Sequence, residues 1–155
     1  MITSKDIKTA LISLMKKEYS TEQYKYYSGL EVIEGYSKPS FFTELDLIST
    51  KMINRNIRKY SYMFSIEFFT PKADEVKMLE MQDKLTEMFE LGFSINERFI
   101  VPENVETSFS GKENNILNVE FTFEFFQEIE QEETELMKEY SLIKNLTKKT
   151  NNSRR

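Results

Sequence analysis

Tyr60-Ser61-Tyr62-Met63-Phe64-Ser65-Ile66-Glu67-Phe68-Phe69 alternates along the chain with a period of two. In an extended strand, Tyr60, Tyr62, Phe64, Ile66 and Phe68 share one face. Ser61, Ser65 and Glu67 share the other, with Met63 and Phe69. A second run, Leu117 to Phe126, repeats the scheme: Leu117, Val119, Phe121, Phe123 and Phe125 oppose Asn118, Glu120, Thr122 and Glu124. Alternation of this length indicates antiparallel strands with one wet face. Tyr62, Phe64, Ile66, Phe121, Phe123 and Phe125 are therefore expected in the core. Aromatics on a sheet could instead stack bases, but the opposite faces here carry Glu67, Glu120 and Glu124, which repel phosphates.

Helical patterns flank these strands. Thr3 and Asp6 have capping-box spacing, and Ile7, Ala10, Leu11, Leu14 and Met15 form one apolar stripe, so a helix is expected over 4–17. Asp74 is placed to cap a second helix over 74–91, with Met78, Met81, Leu85, Met88 and Phe89 as its stripe and Gly92 as its stop. Tyr24, Tyr26 and Tyr27 suggest a short strand, and Gly29 and Gly35 mark turns. Pro39 introduces an alternating strand, Phe41 to Ile48. Ser49 to Asn56 reads as a hairpin connection into the aromatic strand. Phe93 to Val101 and Val105 to Phe109 read as weaker strands, the second turning through Ser110 to Asn115, and Glu132 to Ile143 reads as a helix. The order α-β-β-β-α-β-β-β-α gives an α+β domain: a mainly antiparallel sheet with helices packed largely on one face.

The chain has 155 residues, 39% hydrophobic and 14% aromatic, enough for a packed domain. No apolar run approaches the length of a membrane span, and Met1 to Asp6 enters a charged amphipathic segment, unlike a signal peptide. Cysteine is absent, which excludes disulfides and thiolate metal sites and suits the cytoplasm. Histidine is absent too, removing the commonest general base and metal ligand. No calcium loop, phosphate loop or nucleophile elbow occurs. No enzyme activity and no obligatory cofactor are expected.

Charge is unevenly placed. The net charge is −5, yet from Lys144 onward there are five basic residues and no acid, so residues 1–143 carry −10. The expected division is one α+β domain over 1–143 and a basic, flexible tail over 144–155. An acidic body argues against duplex binding or sequence-specific nucleic-acid recognition. Lys51, Asn54, Arg55, Asn56, Arg58 and Lys59 crowd the segment Ser49 to Lys59, too polar to bury unpaired. That segment is expected to project as a basic hairpin. Lys51, Arg55, Arg58 and Lys59, with Lys148 and Lys149 of the tail, form a candidate interface with an acidic neighbour.

Four segments together carry a family likeness: Lys38 to Leu45; Arg55 to Arg58 followed by Tyr62 to Phe69; the helix Asp74 to Leu91; and Leu117 to Phe126. In order and spacing they resemble the phage tail terminator family of contractile-tailed phages, defective prophages and phage-tail-like bacteriocins of Gram-positive bacteria. The likeness spans residues 3–130. It departs from the family at Met63, where Pro is frequent, and at Ser65, where Asp is frequent. It implies a structural protein that forms a ring, usually a hexamer, on the head-proximal end of the tail tube. Its implied partners are its own copies, the tube protein, the head–tail connector and, in contractile tails, the sheath. The implied location is the virion tail, assembled in the host cytoplasm. A tail-completion or tube protein with a related sheet is the alternative reading, and an RNA-binding α+β domain a more distant one.

Overall fold

The two aromatic runs lie side by side at the centre of one sheet. The computed structural model describes residues 1–29, 35, 37–129 and 144. Its elements are α1 (Ser4–Glu18), β1 (Lys25–Ser28), β2 (Ser40–Met52), β3 (Ile57–Phe69), α2 (Glu75–Glu90), β4 (Phe93–Ile95), β5 (Arg98–Ile100), β6 (Asn104–Ser110) and β7 (Ile116–Glu128). The main sheet has five strands in the order β1-β2-β3-β7-β6, and β4 and β5 form a separate two-stranded ribbon. Every pairing is antiparallel except β1 with β2, so the architecture is the expected α+β with a mainly antiparallel sheet.

β3 and β7 pair along their full length, from Ile57 opposite Glu128 to Phe69 opposite Ile116. This register sets Tyr62 beside Phe123 and Phe64 beside Phe121, aromatic against aromatic on one face. All six expected core residues are buried, and Phe64, Ile66 and Phe123 are wholly inaccessible. Both helices cover this face. α1 contributes Ile7, Leu11 and Met15, and α2 contributes Met78, Met81, Leu85 and Phe89, to a single apolar cluster. Phe89 meets Phe121 at a ring-centroid distance of 4.7 Å. Thr3 caps α1 in a full capping box with Asp6, and Asp74 accepts from the Lys77 amide at the start of α2.

Two expectations need correction, and the short tyrosine strand is present with a direction that the sequence does not give. The segment Ser49 to Lys59 does not project as a separate hairpin. β2 pairs with β3 through Ser49–Ser61, Thr50–Tyr60, Lys51–Lys59 and Met52–Arg58, and β7 flanks β3 as far as Ile57. Only Ile53 to Asn56 turn the chain, held by the Asn54 side chain, which accepts from the amides of Asn56 and Ile57 at 2.9 Å each. The strands persist because Lys51 and Lys59 both fall on the face away from the helices, where Lys51 is exposed and Lys59 is ion-paired with Glu124. Phe93 to Val101 is not one strand; it folds back at Asn96, whose φ is 54°, into β4 and β5. The tyrosine strand β1 runs parallel to β2, a long-range pairing with no local signature. The expected helix over 132–143 and the tail beyond Lys144 lie outside the described residues.

Candidate functional site

The sheet has two faces and two unlike edges, and Lys51, Arg55, Arg58 and Lys59 of the candidate interface lie at one end of it. Lys51 and Lys59 stand opposite each other on the face away from the helices. Lys59 is held there by an ion pair with Glu124, which also accepts a 2.6 Å bond from the Ser61 hydroxyl. Arg58 points to the other face, with its guanidinium 6.0 Å from the Tyr60 ring centre and its Nε 3.4 Å from the Met52 sulfur. Arg55 occupies the turn and is exposed. The structure therefore divides the basic cluster: Lys51 and Lys59 on one side, Arg58 on the other, Arg55 at the tip. Lys148 and Lys149 lie outside the described residues.

Between Leu47 and Ser49 the β2–β3 register slips by one residue, a β-bulge at Ile48. The slip reverses which residues face the helices: Leu45 and Leu47 before it, Thr50 and Met52 after it. Leu47, Ile48, Met52 and Ile53 are about half exposed, a run of apolar side chains at the open end of β2. Sequence reading did not single them out. The signal was present in Leu47-Ile48, two adjacent apolar residues that break the alternation and cannot both face inward. β1 covers only Ser40 to Thr43 of β2, so among the described residues Glu44 to Met52 has no strand on its outer side. Among the described residues β6 is the opposite edge.

The face away from the helices is acidic. Glu106, Glu120, Ser65 and Glu44 form one row across β6, β7, β3 and β2, with Glu106 directly opposite Glu120. Like charges so placed destabilise a sheet. Among the described residues no three side chains of the metal-ligating kind are grouped to hold an ion, and no helix is long and apolar enough to cross a membrane. A cleft of about 460 Å³ between α2 and the β1 side of the sheet is lined by Tyr19, Tyr24, Phe68, Lys77 and Lys84. The Tyr19 hydroxyl is buried without a hydrogen-bond partner. Burial pushes its pKa up to about 12, so it stays protonated at neutral pH and is no base.

Hydrogen bonds from Lys59 and Ser61 hold the Glu124 carboxyl below its ordinary value of 4.5. A carboxyl depressed in the folded state stabilises the fold above its unfolded pKa, and that contribution is lost as the pH falls through the folded value. Glu124→Gln should therefore be less stable than the parent at pH 7, with the difference vanishing as the pH falls well below 4.5. Urea titrations across this range check it; a constant difference down to pH 3 would show that the ion pair contributes nothing.

Residues 6–135 match the sequence model of a family described as phage tail terminator protein. No curated protein sequence matches the chain. Of the solved structures that match, one aligns over 86% of this chain and 100% of its own, at 8% identity and a TM-score of 0.44.

Proposed function

The chain belongs to the phage tail terminator family, and from that premise we propose that it forms a closed ring, hexameric as the family resemblance implies, at the head-proximal end of a tail tube. There it stops tube polymerisation and offers a docking surface to the head connector and, in a contractile tail, to the last sheath ring. The observation that carries this reading is the family match over residues 6–135. A phage tail terminator is a structural component of the virion tail, and such a role requires no catalytic residue. In this reading the ring assembles in the host cytoplasm. The basic end of the sheet, Lys51, Arg55, Arg58 and Lys59, together with Lys148 and Lys149, meets acidic surface on the next subunit or on the tube.

Two features favour a ring over an isolated subunit. A closed ring of identical chains needs two different patches that meet around a rotation, and the two edges of this sheet differ in length, charge and apolar content. The half-exposed run Leu47, Ile48, Met52 and Ile53 is apolar surface beside an open strand edge, which soluble monomers ordinarily cover or blunt. The deciding experiment is deletion of the protein from the particle. Overlong tails, or tails that fail to join heads, are expected in electron micrographs. Tails of normal length that join heads normally would refute the reading.

A further inference from the structure

We infer that adjacent copies join by continuing the sheet, the open stretch of β2 on one copy pairing antiparallel with β6 of the next, with Lys51 opposite Glu106. The inference rests on the ring reading above and names its interface.

Direction comes first. β2 and β7 run one way, β3 and β6 the other, because each neighbouring pair among them is antiparallel. A copy placed beside β2 by a ring rotation presents β6, and the new pair is antiparallel. The faces then agree. Setting Glu106 opposite Lys51 places Val105 opposite Met52 and Thr107 opposite Thr50. Val105 and Thr107 face the helices, as their partners Phe121 and Val119 on β7 do. Thr50 and Met52 face the same side because of the bulge. Glu106 and Lys51 both lie on the acidic face. Without the extra residue at Ile48, this register would oppose inward to outward side chains.

Charge selects the same register. Glu106 is opposed by Glu120 within its own sheet, and among the described residues it has no basic partner within ion-pair distance. Lys51 stands beside Lys59, whose ammonium is already taken by Glu124. Bringing Lys51 to Glu106 relieves both like-charge contacts. An unstaggered copy would instead bring Glu106 level with Glu44 and abut the four residues of β1, leaving the rest of the β2 edge bare.

The stagger fits a closed sheet. Within one copy, Glu106 lies in the row that ends at Glu44. Moving to Lys51 is seven positions along β2, one absorbed by the bulge, or about 20 Å of strand. Four strands per copy, β2, β3, β7 and β6, advance about 19 Å sideways. The resulting strand tilt is about 45°, at the upper end of the roughly 35–45° at which strands close into barrels.

The natural chain has no cysteine, so a disulfide scan is clean. Full-length protein carrying Lys51→Cys and Glu106→Cys should be produced with its particle, and the purified tails oxidised. A ladder of covalent oligomers on a non-reducing gel, abolished by reductant and absent from either single variant, is expected. Terminal rings visible on the tails without any ladder would overturn the edge pairing while the ring reading stands. Tails made with the parent protein that carry no terminal ring at all would overturn both. Charge exchange covers the case in which the cysteine pair does not enter tails. Lys51→Glu and Glu106→Lys should each lower the yield of normal-length tails by about ten-fold. The combined exchange should restore it, and a double variant as poor as the singles would overturn the pairing.

Discussion

Replacing Phe121 by alanine is expected to cost about 3–5 kcal/mol of folding stability, the usual penalty for emptying a closed aromatic site. Phe121 lies where the layers meet. Its ring is 4.7 Å from Phe89 of α2, 5.6 Å from Phe64 of β3 and 6.2 Å from Phe93 of β4. Three elements would have to move to refill the space, and a hydrogen-bonded sheet moves least. For a domain of this size the melting temperature should fall by roughly 8–16 °C. Thr122→Ala, one residue along on the opposite face, should cost no more than about 1 kcal/mol, the span of strand propensity. Denaturant titration of both variants checks the pair. A Phe121→Ala cost below about 1 kcal/mol would mean the core is not closed around that ring.

The second large effect is expected at Gly92, which ends α2 with φ at 86°. A side chain there meets two independent obstacles. The left-handed backbone costs an L-residue about 1–2 kcal/mol. A Cβ would also lie 2.7 Å from the Phe99 ring and 2.8 Å from the Ile100 carbonyl oxygen. The Phe99 ring is exposed and can swing aside; the carbonyl belongs to the β4–β5 ribbon and cannot move without it. Gly92→Ala should therefore cost about 2–4 kcal/mol, combining backbone strain with overpacking. Gly35→Ala separates the two causes, since its φ of 76° imposes similar strain but nothing lies within 4 Å of its Cβ. Equal losses at the two sites would show that the contact with β5 is without consequence.

What was legible in the sequence was local or strictly periodic. Thr3 and Asp6 announced the α1 cap by spacing alone, and Asp74 that of α2. The β3 and β7 faces followed from alternation, because a strand buried on one side leaves no choice of parity. What was missed depended on partners distant in sequence. Lys25–Ser28 is parallel to β2 because of packing around Phe41, which Tyr19, Tyr24 and Tyr26 surround at centroid distances of 5.3–5.4 Å. Polarity at Lys51, Arg58 and Lys59 hides the extent of the β2–β3 hairpin, because polar runs mark loops as well as strands with a wet face. Those side chains sit on a strand with their charges in water or paired. The same polarity drew attention to the basic residues and away from Leu47 and Ile48, where the broken alternation marked the bulge.

That bulge also constrains how the hairpin can change in length. Upstream of Ile48, odd-numbered residues of β2 face the helices; downstream, even-numbered ones do. Loss of one residue beyond the bulge would swap the faces of all those between it and the turn, carrying Lys51 in opposite Tyr60 and Met52 out opposite Lys59. Loss of two would preserve every side. Gene lineages that share this sheet are thus expected to lengthen or shorten the hairpin in steps of two codons, and to take a single-codon step only where the bulge itself appears or disappears.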